Sequence, residues 1–218
     1  PEALINYIAL LGCSYEDGRD LYSLDELVRL FKIDRLNKAP AVFDYQKLEW
    51  FNGQYIRMKS DKELAELIRP YLIDAGLRTE EDPQKDRMEL AAIPLIKERL
   101  KLLGDSPAIM SYLYKRLEMP PAEAFIPKRA SMDEAIMYLE ECRSIIQDSN
   151  LDDIPAVEER FKEFATVIGK KLGDILMPLR VAITYSRVSP PLFESMRILG
   201  KEECIVRIEA AIAYLRGA

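Results

Sequence analysis

Apolar residues recur at three- and four-residue intervals along almost all of this 218-residue chain, and that spacing commits it to helix. Val157, Phe161, Phe164, Ala165 and Ile168 share one face of a 3.6-residue turn, as do Ala92, Ile96, Leu100 and Leu103, and Ile205, Ile208, Ile212 and Leu215. Helix starts stand beside the stripes. Ser23 precedes LDELVRLF with Glu26 three residues on, and Ser60 precedes DKELAEL with Glu63 three residues on; each pair can satisfy two orphan amides reciprocally. Thr79 and Ser131 stand before acidic first turns, and Gly12, Gly76, Gly104 and Gly200 are expected helix ends. Only RVAITY, 180–185, alternates as a strand would. It continues LGDILMPL without a turn signal and is read as helix, so the expected class is all-α.

Two seams divide the chain. A polar junction falls at 58–60, and a proline-rich link, MPPAEAFIPKRAS, runs over 119–131. The expected units are a compact helical module over 1–58, a first small bundle over 59–129 and a second over 130–218. Cys13, Cys142 and Cys204 are too far apart for a metal knuckle or a disulfide framework. Cys142 falls on the stripe Met132, Ala135, Ile136, Leu139, Cys142, Ile146 and is expected in the core.

The residues present exclude most chemistry. With no histidine, Ser-His and Cys-His nucleophile pairs are impossible. No GxxxxGK[ST] or GxGxxG loop is present to cradle phosphates, and paired acids such as Glu140 and Glu141, or Glu158 and Glu159, lie on solvated helix faces. No signal-peptide pattern and no apolar run long enough to span a bilayer occurs, so the cytoplasm is the expected compartment and no membrane partner is expected. Because the chain opens at Pro1 inside an apolar-periodic segment, it is read as a piece of something longer.

Binding chemistry remains. The run VFDYQKLEWFNGQYIR, 42–57, holds the only tryptophan, several large aromatics and an Asn-Gly break. Its aromatic faces can be core or stacking surface, while Lys47, Asn52, Gln54 and Arg57 carry donors suited to phosphate and sugar oxygens. The net charge of -6 argues against a general nucleic-acid binder, so an RNA site must be a local basic patch on an acidic body.

Together with PEALINYIALLG at 1–12 and SPPLFESMRILGKE at 189–202, that run resembles the carboxy-terminal, tRNA-binding part of bacterial glutamyl-tRNA synthetases. The likeness covers essentially the whole chain. It implies an elongated α-helical cage that binds the anticodon, preceded by a small module that touches the tRNA stem. Lys47, Asn52 and Arg57 become candidate tRNA-backbone contacts, with Trp50 and Phe51 as core. Arg99, in KERLKLLGD, falls at the position of an arginine that reads the third anticodon base. Arg180, in MPLRVAIT, matches a second anticodon arginine, and Ser189 and Leu192, in SPPLF, match a loop that holds an unstacked base. Single-stranded bases expose their pairing edges, and an arginine fork can donate to a pyrimidine edge while its plane stacks.

Three positions depart from the family pattern. Cys13 stands where an aromatic is usual, Ala39 replaces a common serine in the NKxPAxFD stretch, and Pro191 stands where glycine is frequent. YIRMKSDK, 55–62, resembles the synthetase Lys-Met-Ser-Lys loop only superficially, because the order is Met-Lys-Ser. On its own periodicity Arg99 flanks the Ala92, Ile96, Leu100 stripe of one continuous helix and could lean over a groove.

The implied partner is tRNA(Glu), bound by a monomer. ATP and magnesium would belong to a catalytic domain outside these residues, with no cofactor in this portion. Two alternatives stay open: the same region of a glutaminyl-type or non-discriminating relative, and a helical scaffold that binds proteins.

Overall fold

A computed structural model describes residues 1–13, 15, 18–38 and 40–217, and the Ala39 departure lies outside them. Its described residues form eleven α-helices and short 3-10 turns, with one isolated antiparallel bridge between Cys13 and Leu36. The helices are α1 (Glu2–Gly12), α2 (Leu24–Leu30), α3 (Tyr45–Met58), α4 (Asp61–Asp74), α5 (Pro83–Ile96), α6 (Ser106–Tyr114), α7 (Met132–Gln147), α8 (Ile154–Val167), α9 (Leu172–Thr184), α10 (Leu192–Leu199) and α11 (Lys201–Gly217). The all-α class is as expected; residues 180–184 of RVAITY complete α9 and Tyr185 caps it.

The serine-opened helices carry reciprocal caps. Ser23 Oγ accepts from the Glu26 amide at 3.2 Å while the Ser23 amide donates to Glu26 Oε2 at 2.8 Å, and the same exchange closes Ser60 with Glu63 and Ser131 with Glu134. Thr79 does not open a helix. Asp82 does so instead, because Pro83 presets the first helical position and leaves the Asp82 carboxylate to accept from the Lys85 amide. Gly76 follows α4 at φ 66°, with the Leu77 amide returned to the Leu72 carbonyl, and Gly200 closes α10. Gly104 ends no helix; it sits in the 3-10 turn Leu103–Asp105 that leads into α6.

Two further expectations are corrected. Asn52-Gly53 does not break α3, which runs through both residues. A Cβ at Gly53 would stand 3.4 Å from the Arg57 guanidinium and 3.5 Å from the Leu100 carbonyl, so glycine marks where α3 approaches a neighbouring segment most closely. That segment is the second correction. The helix expected through Arg99 stops at Ile96, and Lys97–Arg99 form a 3-10 turn that leaves Leu100 extended yet buried beside Ala92 and Ile96.

Buried apolar residues gather in three clusters. One joins α1 and α3 through Ala3, Tyr7 and Phe51; a second joins α4, α5 and α6; the largest runs from Phe125 through α7, α8, α9, α10 and α11. Cys142 lies fully buried in the last, as expected, and burial raises its thiol pKa. Tyr185, Ile198 and Leu199 reach from the last helices onto the second cluster, and α10 packs on α5 and α6, so the two bundles share a seam. Near the chain start, buried Asn6 is a polar hub: its Oδ1 accepts from the Tyr22 amide at 2.8 Å, lies 2.7 Å from the Tyr55 hydroxyl, and its Nδ2 donates to the Asp20 carbonyl at 3.0 Å.

Candidate nucleic-acid interface

The seam between the bundles opens into a pocket of about 380 Å³ walled by α6, the end of α9 and residues 185–190. Helix α9 ends against it on Tyr185, whose φ of 58° is left-handed, with its amide returned to the Val181 carbonyl at 2.8 Å. Tyr185 is placed by Arg207, a fully internal arginine whose guanidinium lies 5.4 Å from the Tyr185 ring centre and donates to the Ile183 carbonyl at 2.6 Å. Glu203 balances Arg207 at 2.7 Å and pairs with Arg116 at 2.7 Å. On the facing wall the Tyr112 hydroxyl meets Ser195 Oγ at 2.8 Å, which itself donates to the Pro191 carbonyl at 2.6 Å. This chain of hydroxyls fixes α6 against the start of α10.

Four of the expected residues converge on this region in different ways. Ser189, nearly buried, lines the pocket. Arg180 stands behind that wall, half-buried on α9, and donates to Ser189 Oγ at 2.6 Å and to the Pro190 carbonyl at 3.1 Å. Leu192 is 3% exposed and belongs to the hydrophobic core, so its side chain supports the loop and offers no exposed surface. Arg99 stands at the pocket mouth, exposed, with no hydrogen bond or ion pair to any described residue. Burial and then the nearby charge of Arg99 lower the Arg180 pKa. Arg99 therefore stands at the mouth of a pocket lined by no carboxylate among the described residues, with a second cation bound to the back of its wall, a surplus that invites an anion.

Arg99 also borders a second, open groove of about 630 Å³ between α3 and the segment 98–101, shared with Trp50, Arg57 and Lys101. Arg57 reaches Glu98 across it at 3.7 Å, and Lys101 reaches Glu49 at 3.3 Å. The expected backbone contacts do not form one patch. Asn52 spends its amide on the Lys101 carbonyl and so ties α3 to the bundle, whereas Lys47 lies on another side of α3 with Tyr7 and Asp44. Phe51 is core as expected. Trp50 is not; it is 44% exposed and stands edge-on to Phe51 at 5.0 Å.

Sequence reasoning missed Tyr112 and Tyr185. Nothing local distinguishes Tyr112 from the other apolar residues of α6, and a left-handed tyrosine carries no signal where glycine would be the ordinary choice.

Residues 63–212 match the family described as Anticodon binding domain. A glutamate–tRNA ligase of Treponema denticola is 45% identical over 97% of this chain and 46% of its own length, and one of Borrelia recurrentis is 38% identical over 99% and 43%. The crystal structure of a glutamate tRNA ligase from Elizabethkingia meningosepticum in complex with its amino acid superposes with a TM-score of 0.85 at 28% identity, covering 99% of this chain and 41% of that one. The chain thus spans under half the length of the relatives it matches. With residues 63–212 matched, a stretch that takes in most of both bundles and the seam between them, the chain belongs to the anticodon-binding domain family.

Proposed function

We propose that this chain is the tRNA-recognition part of a glutamate–tRNA ligase and reads the anticodon of tRNA(Glu) as a monomer in the cytoplasm. The observation that carries the reading is exposed Arg99, without a partner among the described residues at the mouth of a pocket lined by no carboxylate and backed by Arg180 through Ser189 and Pro190, in a chain whose net charge is -6. Arg99 supplies the base contact. Arg180 and Ser189 hold the pocket wall, Leu192 anchors it from the core, and Lys47 and Arg57 meet the RNA backbone, with Asn52 positioning α3. ATP and magnesium would be handled by the part of the ligase outside this chain, because nothing here fits them: histidine and phosphate-cradling glycine loops are both missing from the sequence. The division into 1–58, 59–129 and 130–218 belongs to the same proposal. The three apolar clusters support it, with Phe125 drawing the second seam toward the third unit.

Glutamate anticodons end in cytosine and glutamine anticodons in uracil. Cytosine N3 accepts where uracil N3 donates, so a fixed arginine donor favours cytosine. The test is titration of the chain and its Arg99→Gln variant with two anticodon arms differing only in that base. The cytosine preference should narrow by about 1–3 kcal/mol in the variant. Equal binding of both arms by the unaltered chain would indicate a non-discriminating relative, and an unchanged preference in the variant would remove Arg99 from the reading.

A further inference from the structure

We infer that the groove between α3 and the segment 98–101 is a second RNA subsite, which stacks one unpaired nucleotide on Trp50 and holds its phosphate with Arg57, Arg99 and Lys101. The inference rests on the anticodon-reading proposal and deepens it, adding a stacking surface and Lys101 to the groove where that reading already places Arg57 and Arg99.

The groove is built on one stripe of α3, since Gln46, Trp50, Gly53 and Arg57 recur at helical spacing. Its floor is open because Gly53 carries no side chain where the Leu100 carbonyl approaches. Trp50 is 44% exposed at the groove and is braced at right angles by fully buried Phe51. With its amide oxygen turned toward the ring, Gln54 accepts from Trp50 Nε1 at 3.1 Å and from Arg57 at 3.1 Å, so one bridging side chain fixes both the aromatic and the cation. An exposed aromatic beside fixed cations is the arrangement that grips a single-stranded nucleotide without regard to its sequence.

Charge favours the same occupant. Three cations face two carboxylates, Glu49 and Glu98, and both ion pairs across the groove involve exposed partners whose attraction water weakens. A phosphate entering the groove competes with those carboxylates for Arg57 and Lys101 and meets Arg99 already without a partner. Arg99 borders this groove and the Tyr112 pocket alike, so a strand whose bases enter the pocket passes its next phosphate directly into the groove.

Trp50 is the only tryptophan, so its emission reports this groove alone. An end-labelled transcript of tRNA with a glutamate anticodon is titrated into the chain while label anisotropy and tryptophan emission are followed together. Trp50 emission should quench with the same midpoint as the anisotropy rise. Trp50→Ala should weaken binding about five- to a hundredfold, as expected for loss of one base stack. Trp50→Phe should keep most of the affinity, and Glu49→Gln should tighten binding by freeing Lys101. Circular dichroism checks that the variants keep their helix content; if Trp50→Ala fails that check, quenching and the other two variants decide. Rising anisotropy with unmoved Trp50 emission and unchanged affinity in the folded Trp50 variants overturns the subsite while leaving the anticodon reading intact. Absence of any anisotropy rise at low salt overturns both.

Discussion

Residues 1–58 and the bundle from Phe125 to Leu215 are both helical, yet different forces hold them. Among the described residues the bundle's apolar cluster has 23 buried members and that of the first module has three, so packing alone can order the bundle and cannot order the module to the same degree. The module substitutes hydrogen bonds: Asn6 ties Asp20, Tyr22 and Tyr55 together, and the Tyr7 hydroxyl accepts from the Asp44 amide at 2.7 Å. It also leaves Val28, Ile33 and Val42 in solvent. Stability in such a molecule is uneven, with a robust far end and a module that opens first.

The strongest way to break this comparison is a pair of identical deletions. Phe161→Ala in the bundle should cost about 3–5 kcal/mol and lower the main thermal transition. Phe51→Ala should leave that transition in place and abolish amide protection over residues 1–58 only. A single concerted loss in both variants, followed by hydrogen exchange, would show that the two regions are one cooperative unit.

Next in size is Glu203→Gln. It removes the carboxylate that balances internal Arg207 and should cost about 1.5–3 kcal/mol, the scale of a charge-assisted hydrogen bond. Hydrogen bonding from Arg116 first, and then from Arg207, holds the Glu203 carboxyl down to about 2 from the usual 4.5. Because the folded value is the lower one, the contribution is complete above pH 4.5 and fades as the pH falls toward 2. Acid melting profiles of the variant should lack that decline, and a profile parallel to the unaltered chain would refute the assignment.

Asn6→Ala should cost about 1–3 kcal/mol by removing the side-chain acceptor of the Tyr22 amide, while the Tyr55 hydroxyl keeps its bond to the Tyr22 carbonyl at 2.6 Å. Its effect is expected in exchange rates of the first module alone; slowed or unchanged exchange there would mean that the hub is dispensable. The smallest expected effect is that of the caps. Ser131→Ala and Ser23→Ala should each cost about 1 kcal/mol, the first visible in the main transition and the second only as faster exchange in α2.

Much of the fold was legible because it is written in local patterns. The stripes of α7, α8 and α11 and the boxes at Ser23, Ser60 and Ser131 each depend on residues within a turn or two of one another. Thr79 failed because Asp82 followed by Pro83 is the stronger start, and Asn52-Gly53 failed because a tertiary contact with Leu100 outweighs the usual cost of glycine in a helix. The site was half legible. Arginines at 99 and 180 could be placed by resemblance, but the turn that ends α5 at Ile96 and brings Arg99 to two cavities at once is set by long-range packing. Lys47 and Asn52 read as one polar run in sequence and part company on opposite sides of α3.

Tyr185 shows what the site costs the molecule. A left-handed tyrosine gives up on the order of 1 kcal/mol that glycine at the same turn would keep. Tyr185→Gly would relieve the backbone but give up the ring's packing on the second cluster and its contact with Arg207 together with a wall of the pocket. A repair guided by backbone geometry alone would therefore strip out, with one strained residue, the ring that joins the two bundles at their seam.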